Sequence, residues 1–263
     1  MEDSVSKKIV RFSNGSRTNV TDLIAAEAPM QLIVNGKPLS ITMRTPGSDV
    51  ELGAGFLWTE RLIEHQDDII SHKESDQNTV EFSTRVQPMV EFESKNFFTT
   101  SSCGVCGKST VDEIMKSSPF SLHNSHEIHV QERVICSLPE KLRNHQSAFN
   151  QTGGIHGCAL FDVDGNIFKF AEDVGRHNAL DKLIGHYVLR GQLPLPSYIL
   201  LLSGRISFEL VQKSIMAGIK IVCGIGAPSD LAIDTAHENG QTLVGFLKKD
   251  SFNIYTHPKR IIE

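Results

Sequence analysis

The stretch that decides the fold is Pro196–Lys248, "PSYILLLSGRISFELVQKSIMAGIKIVCGIGAPSDLAIDTAHENGQTLVGFLK". "PSYILLLSG" reads as a buried strand and "SFELVQKSIMAG" as a helix ended by Gly218, since glycine readily takes the left-handed conformation that closes a helix. "KIVCGIG" is a second strand, "SDLAIDTAHENG" a helix ended by Gly240, and "TLVGFLK" a third strand. This alternation predicts parallel strands with crossover helices, an α/β fold. It also creates two strand-to-helix corners, Ser203–Ser207 ("SGRIS") and Gly226–Asp230 ("GAPSD"). Unpaired N–H groups at helix starts suit anions, and ligands of open α/β sheets sit at the carboxyl ends of the strands. The corners therefore make Ser203, Gly204, Arg205, Ser207, Pro228 and Ser229 candidate binding residues.

Upstream, "AEDVGRHNALDKLIGHYVLRG" gathers Asp173, Arg176 and His177 just before a helix expected to start near Asn178. "NQTGGIHGCALFD" runs from a Gly-Gly loop into a strand, with His156 and Cys158 beside the loop. The first hundred residues read as strand-rich. "MQLIVNGKPLSITM" is a hairpin around Asn35-Gly36, with Pro38 unsettling the start of its second strand. "DVELGAGFLWTERLIE" reads as a helix with Leu52, Phe56, Leu57, Leu62 and Ile63 on one face. "DDIISHKESDQN" reads as a polar loop and "TVEFSTRV" as an alternating strand.

The chain has 263 residues, enough for a sizeable core, and 22% are charged. Its formal net charge of -5 offers no global basic field for nucleic acid. Nothing reads as a signal peptide or a membrane span, and five cysteines in a chain this long do not read as a disulfide framework. A cytoplasmic protein is expected.

Two of those cysteines carry the chemistry. "TTSSCGVCGKSTVDEI" spaces Cys103 and Cys106 as Cys-x-x-Cys, with glycine after each. Thr110 and Glu113 form a capping-box pattern, so a helix is expected near Thr110 and the pair sits just ahead of it. The helix dipole and Lys108 would favour thiolate. Four chemistries fit such a pair. Structural zinc needs four ligands, and the further candidates Cys136, His156 and Cys158 are scattered. His72-x-Glu74 ahead of Cys-x-x-Cys resembles the zinc-deaminase order, but Ser102 stands where proline is required and His72 and Glu74 lie in a polar run. A thioredoxin-like couple fits poorly with the glycines and the Ser/Thr run. A sulfur carrier uses a thiolate to hold sulfane sulfur as persulfide, and a second thiol to release it. Cys158, Cys223 and Cys136 read as core residues, and His123, His126 and His129 as surface histidines.

"SSCGVCGKS", "FNQTGGIHGCALF", "EDVGRHNALDKLIG", "SGRISFELVQKS", "GAPSDLAIDTA" and "GFLKKDSFNIYTHPKRI" occur in this order, with "GFLWTERLI" nearer the start. The ordered set resembles the formate dehydrogenase accessory sulfurtransferase family, FdhD, from about Glu27 to Ile261. The resemblance implies a cytidine-deaminase-like three-layer α/β/α domain joined to a smaller, strand-rich, roll-like domain. Residues 1–98 are assigned to the smaller domain and 99–263 to the deaminase-like one, with C-terminal strands able to pack back on the first. It implies a sulfurtransferase that takes persulfide sulfur from a cysteine desulfurase. Cys103 would hold the sulfur and Cys106 would match the second cysteine. The sulfur would pass to the molybdenum cofactor, in its bis-molybdopterin guanine dinucleotide form, before insertion into formate dehydrogenase. The cofactor is bound as substrate, and guanine nucleotide would occupy the same site. The cofactor-binding stretch would be Phe246, Leu247, Lys248, Lys249, Asp250 and Ser251, joined by the two corners, Arg176 and His177. Lys248 stands where arginine is usual, Arg61 where glycine is usual, and Cys158 where alanine is usual. No resident metal, nucleic acid or membrane is expected, and a homodimer is expected from symmetry alone. The rival function is a chaperone that holds the molybdenum cofactor without transferring sulfur.

Overall fold

The structure is a computed structural model that describes residues 3–86, 118–123 and 128–263. The expected domain boundary at residues 98 and 99, and the helix expected near Thr110, lie outside them. The chain opens with a ribbon, β1 (Ser4–Ser13) and β2 (Ser16–Ala25). A four-stranded sheet follows, built from β3 (Ala28–Val34), β4 (Lys37–Arg44), β5 (Ile69–Asp76) and β6 (Thr79–Thr84) in the order β4-β3-β6-β5. The predicted hairpin is present. Asn35 and Gly36 both take positive φ, 49° and 76°, as a tight turn matching the strand twist requires. Pro38 lies on β4, an edge strand, where a missing N–H is tolerated. Residues 69–76 are a strand rather than the expected loop. As the edge of this sheet β5 keeps almost every side chain in solvent, which accounts for its polar composition.

Helix α1 (Asp49–Thr59) is shorter than expected. Arg61 takes φ 56° and the Leu62 and Arg61 N–H groups donate to the Leu57 and Trp58 carbonyls, at 2.8 and 2.9 Å. This left-handed closure ends the helix, so Leu62 and Ile63 lie beyond it. One face of α1 covers Leu32, Val80 and Phe82 of the four-stranded sheet, and α4 (Arg176–Val188) lies on another. Gly55 faces the Asp181 carbonyl and Gly185 the Glu51 carbonyl so closely that neither position has room for a Cβ. Glycines thus let the two helix backbones meet.

The remaining strands are β7 (Val130–Gln131), β8 (His156–Phe161), β9 (Ile167–Asp173), β10 (Ile199–Leu202), β11 (Ile221–Gly224), β12 (Thr242–Gly245), β13 (Asn253–Thr256) and β14 (Ile261–Ile262). The remaining helices are α2 (Glu132–His145), α3 (Ser147–Thr152), α5 (Phe208–Met216) and α6 (Asp230–Glu238). A six-stranded sheet runs in the order β13-β12-β11-β10-β8-β9. β10, β11 and β12 are parallel, as the βαβ alternation predicts, while β8, β9 and β13 pair antiparallel with their neighbours. The C-terminal strands stay with this body: β13 edges the sheet and β14 pairs with β7.

Strand residues alternate between two apolar layers. Leu200, Leu202, Val222 and Leu243 join α4, α5, α6, α1 and the four-stranded sheet in one cluster. Leu201, Ile221, Cys223 and Val244 join Ile135, Leu138 and Leu142 of α2 in the other. The fold is thus mixed α/β, with helices on both faces of the larger sheet. Cys158 and Cys223 are buried as predicted, and burial pushes both thiols up. Cys136 is not: it lies half-buried on α2, its apolar neighbours following the helical spacing of 135, 138 and 142 rather than a strand. A buried polar clamp closes the α1–α4–α5 junction. Lys213 Nζ reaches Thr59 Oγ1 at 2.8 Å, Asp181 Oδ2 at 2.9 Å and Glu60 Oε1 at 3.2 Å.

Candidate functional site

One end of the six-stranded sheet collects nearly every described candidate. β10, β11 and β12 end there and lead into Ser203–Ser207, Gly226–Asp230 and Phe246–Ser251. β8 runs the other way, so it begins there at His156, and β9 ends there at Asp173, paired in register with His156. The first residues of α4, α5 and α6 stand above this edge. Ser203 binds it to β8 twice: its Oγ accepts from the Gly157 N–H at 2.9 Å, and its N–H donates to the Gly157 carbonyl at 2.9 Å.

The corners are locked to one another. The Ile206 N–H donates to the Ala227 carbonyl at 3.0 Å, Gly226 to Gly204 at 3.1 Å and Ser229 to Ile206 at 2.9 Å. Phe246 donates to Gly226 at 3.1 Å, Leu247 to Gly224 at 3.1 Å and Lys248 to Ser251 at 2.8 Å. A Cβ on Gly226 would stand 2.9 Å from the Arg205 backbone, and one on Gly245 would stand 2.8 Å from Pro228. Those six N–H groups hold the edge together; the N–H groups that open α5 and α6 are not among them. Ser229 caps α6, its Oγ accepting from the Ala232 N–H at 3.4 Å, whereas Ser207 begins α5 without a side-chain cap. What the edge presents outward is side chains. Arg205, Ser229, Phe246, Lys248, Lys249, Asp250 and Ser251 are exposed, while Leu247 turns into the core and offers nothing. Phe246 combines φ 52°, rarely adopted by a bulky residue, with a ring 45% exposed.

Beside the corners sits a polar cluster. Arg176 and His177 are the first residues of α4, so they lie inside the helix rather than ahead of it. Asp173, fully buried, accepts from the Thr45 N–H at 3.0 Å and the Gly175 N–H at 2.8 Å and pairs with Lys182 at 2.7 Å. It fixes where α4 begins. His177 is buried, with Nε2 3.5 Å from Ser207 Oγ and 3.8 Å from Glu209 Oε2. Its Nδ1 has no hydrogen-bond partner. Both neighbours stand on the same ring nitrogen, so this is not a nucleophile–histidine–acid relay, which needs one group on each nitrogen. His156 lies half-buried next to Gly204. Burial, and then the Arg176 and His177 charges, hold its imidazole below the usual histidine range. The cluster offers an imidazole held below the usual histidine range, a buried unpaired ring nitrogen and two guanidinium groups at the mouth of a sheet. Such a set can orient an anionic ligand and move a proton.

Two sequence-level ideas change on this background. His72 and Glu74 alternate with Lys73 on the exposed edge strand β5, with no helix to carry a deaminase-type ligand pair. Among the described residues no group of three or more His, Cys, Asp or Glu is placed to hold a metal ion. Cys103, Cys106 and His126 lie outside the described residues.

A profile of the FdhD/NarQ family matches residues 25–262. The chain belongs to that family. Among curated FdhD/NarQ relatives, "Sulfur carrier protein FdhD" of Sulfolobus acidocaldarius is 44% identical, over 97% of this chain and 97% of its own length. The protein of the same name from Streptomyces avermitilis is 41% identical, over 97% of this chain and 94% of its own. The fold is similar to a crystal structure described as a putative formate dehydrogenase accessory protein from Desulfotalea psychrophila. The TM-score is 0.79 at 23% identity, covering 99% of this chain and 100% of that one. Within this FdhD/NarQ fold, both corners, the Phe246–Ser251 stretch, Arg176 and His177 lie together at one end of the six-stranded sheet. From the sequence His156 was named only as a scattered zinc candidate beside the Gly-Gly loop, and Glu209 was not named. His156 had a signal, the Gly-Gly loop leading into its strand, but its place opposite Asp173 depends on a strand register no local pattern carries.

Proposed function

We propose that this chain carries sulfur for the maturation of formate dehydrogenase, acting in the cytoplasm. The observation that supports the reading best is membership of the FdhD/NarQ family, with relatives named sulfur carrier protein at 41–44% identity over nearly the whole chain. In this reading the Cys103 thiolate attacks the outer sulfur of a cysteine desulfurase persulfide. An S–S bond forms on Cys103 and the desulfurase leaves as thiolate. The Cys106 thiolate then attacks the inner sulfur of the Cys103 persulfide, so a Cys103–Cys106 disulfide forms and sulfide is released. That sulfide is destined for the molybdenum of bound bis-molybdopterin guanine dinucleotide, which is substrate rather than resident cofactor.

The sheet edge suits such a substrate in its chemistry. Arg176, Arg205, Lys248 and Lys249 carry positive charge for pyrophosphate, and the exposed Phe246 ring is a surface on which a guanine can stack. Lys248 keeps the charge of the usual arginine but not its two-pronged grip. The unpaired His177 Nδ1 is a buried group awaiting a partner. The reading is tested by Cys103→Ala in a host lacking its own copy of the gene. The expected result is loss of formate dehydrogenase activity while guanine nucleotide binding by the purified variant is retained. Retention of most activity would instead favour a chaperone that holds the cofactor without moving sulfur.

A further inference from the structure

His156 stands at the mouth of the sheet but takes no part in the bonds that hold the mouth together. It opens β8, half-buried, opposite Asp173 in register. Its ring lies against the Ser203–Ser207 corner, where a Cβ on Gly204 would stand 3.4 Å from Nδ1. The bonds that tie β8 to this corner run through Gly157 and Ser203 instead, and those that lock the corners run between backbone groups. Among the described residues, charged and titratable groups approach the ring from each neighbouring element. β9 gives Asp173, whose carboxylate is engaged by Lys182, the Thr45 and Gly175 N–H groups and the Asn178 amide. α4 gives Arg176 and His177, α5 gives Glu209 beside His177, and the corner after β10 gives Arg205. Burial, Arg176 and His177 oppose a charge on His156, and Asp173 favours one.

These groups lie in a row across the edge. Along the strand order β8, β10, β11, β12 come His156, Arg205, Gly226 and Phe246. The Gly226–Gly204 and Phe246–Gly226 backbone bonds, both 3.1 Å, join them corner to corner. β8 and β12 are three places apart, roughly 14 Å at ordinary strand spacing. A guanine nucleotide laid along the row with its base on the Phe246 ring carries its phosphates past Arg205 toward Arg176 and His156. There an anion offsets the Arg176 charge that opposes protonation and sets its own negative charge beside the ring. The reverse direction would leave the phosphates with Lys248 and Lys249 and leave His156 untouched.

We propose that His156 is a proton-coupled seat for the phosphates of a guanine nucleotide: it binds them as imidazolium beside Arg176 and Arg205, drawing the proton from solvent, and gives the proton back when they leave. This rests on the proposed reading of the edge as a guanine dinucleotide site, and adds a residue, a direction for the ligand and a proton. Because binding strengthens the hold of His156 on its proton, nucleotide affinity is highest at low pH and falls as pH rises through about 6.5. The test is calorimetric titration of the full chain with guanosine diphosphate between about pH 5.5 and 7.5, in two buffers of different ionisation enthalpy, with guanosine as the phosphate-free control. Affinity should fall about tenfold across that window, the change that one unit on a single group brings. The nucleotide's own phosphate titrates in the same range, so the quantity read is proton uptake in excess of that in His156→Gln. Guanosine should show no such excess. Histidine NMR of the wild-type chain, with His156 assigned by its loss in the variant, should show the His156 midpoint moving up when guanosine diphosphate is added. Equal proton uptake in both proteins, or a His156 midpoint indifferent to the nucleotide, would overturn the proposal while leaving the site reading intact. No binding of guanosine diphosphate at any pH would overturn both.

Discussion

At Arg61 the backbone takes φ 56°, a conformation that costs a side-chain-bearing residue about 1 kcal/mol or more. The position closes α1 in the left-handed region, where glycine is the residue that carries no such cost. Arg61→Gly is expected to raise stability by about 1 kcal/mol in urea unfolding; an unchanged or lower midpoint would contradict that account. His156 gives a pH signature. Its folded imidazole is held below the usual range by burial, Arg176 and His177, so the unfolded chain binds a proton that the folded chain refuses. Stability from this group is present above about pH 6.5 and is lost as pH falls toward the depressed folded value. Thermal midpoints should therefore drop through that window, and His156→Asn should flatten the drop; an equal slope in the variant would assign the effect elsewhere. Arg205 entered the reading through a strand-to-helix corner and Lys248 only through the family resemblance; both stand with His177 at one end of the sheet. His156 was not legible as a site residue, because its meaning comes from Asp173 across a strand pair. The unpaired Nδ1 of His177 is likewise a fact of packing.

At the scale of elements, the α1–α4 crossing holds the site's foundation. α4 carries Arg176 and His177 at its start, and α1 meets it through Gly55 and Gly185, each facing a backbone carbonyl with no room for a methyl group. Gly185→Ala should force the helices apart and destabilise the protein by about 3 kcal/mol, with Gly55→Ala similar. A near-neutral effect of either in chemical unfolding would mean that the helices do not pack this closely. The strand–helix alternation after Pro196 was legible because buried strands and amphipathic helices differ in period. The strand at 69–76 was missed for the converse reason. An edge strand in solvent has no apolar alternation to read, and its partner β6 supplies the hydrogen bonds that make it a strand. The early end of α1 was missed because Leu62 and Ile63 continue the apolar content past a residue that breaks the helix by its own backbone angle.

For the whole molecule, a continuous apolar cluster runs from Met30 and Leu32 through α1 and α4 to Val222 and Leu243. The strand-rich first part is thereby seated on the sheet whose far edge carries the candidate site. No local pattern announces that seating, which rests on glycine contacts and the Lys213 clamp between distant segments. An edge locked by backbone hydrogen bonds, with Arg205, Lys248 and Lys249 exposed on it, is in keeping with the proposed role of holding a large charged substrate. The measurement that tests this account most directly is the intact mass of the purified protein after incubation with a cysteine desulfurase and cysteine without reductant, followed by peptide mapping. The account predicts added sulfur on the Cys103–Cys106 peptide, first on Cys103, removed by reductant and absent in Cys103→Ala. No added sulfur from an active desulfurase, with both thiols free, would contradict it.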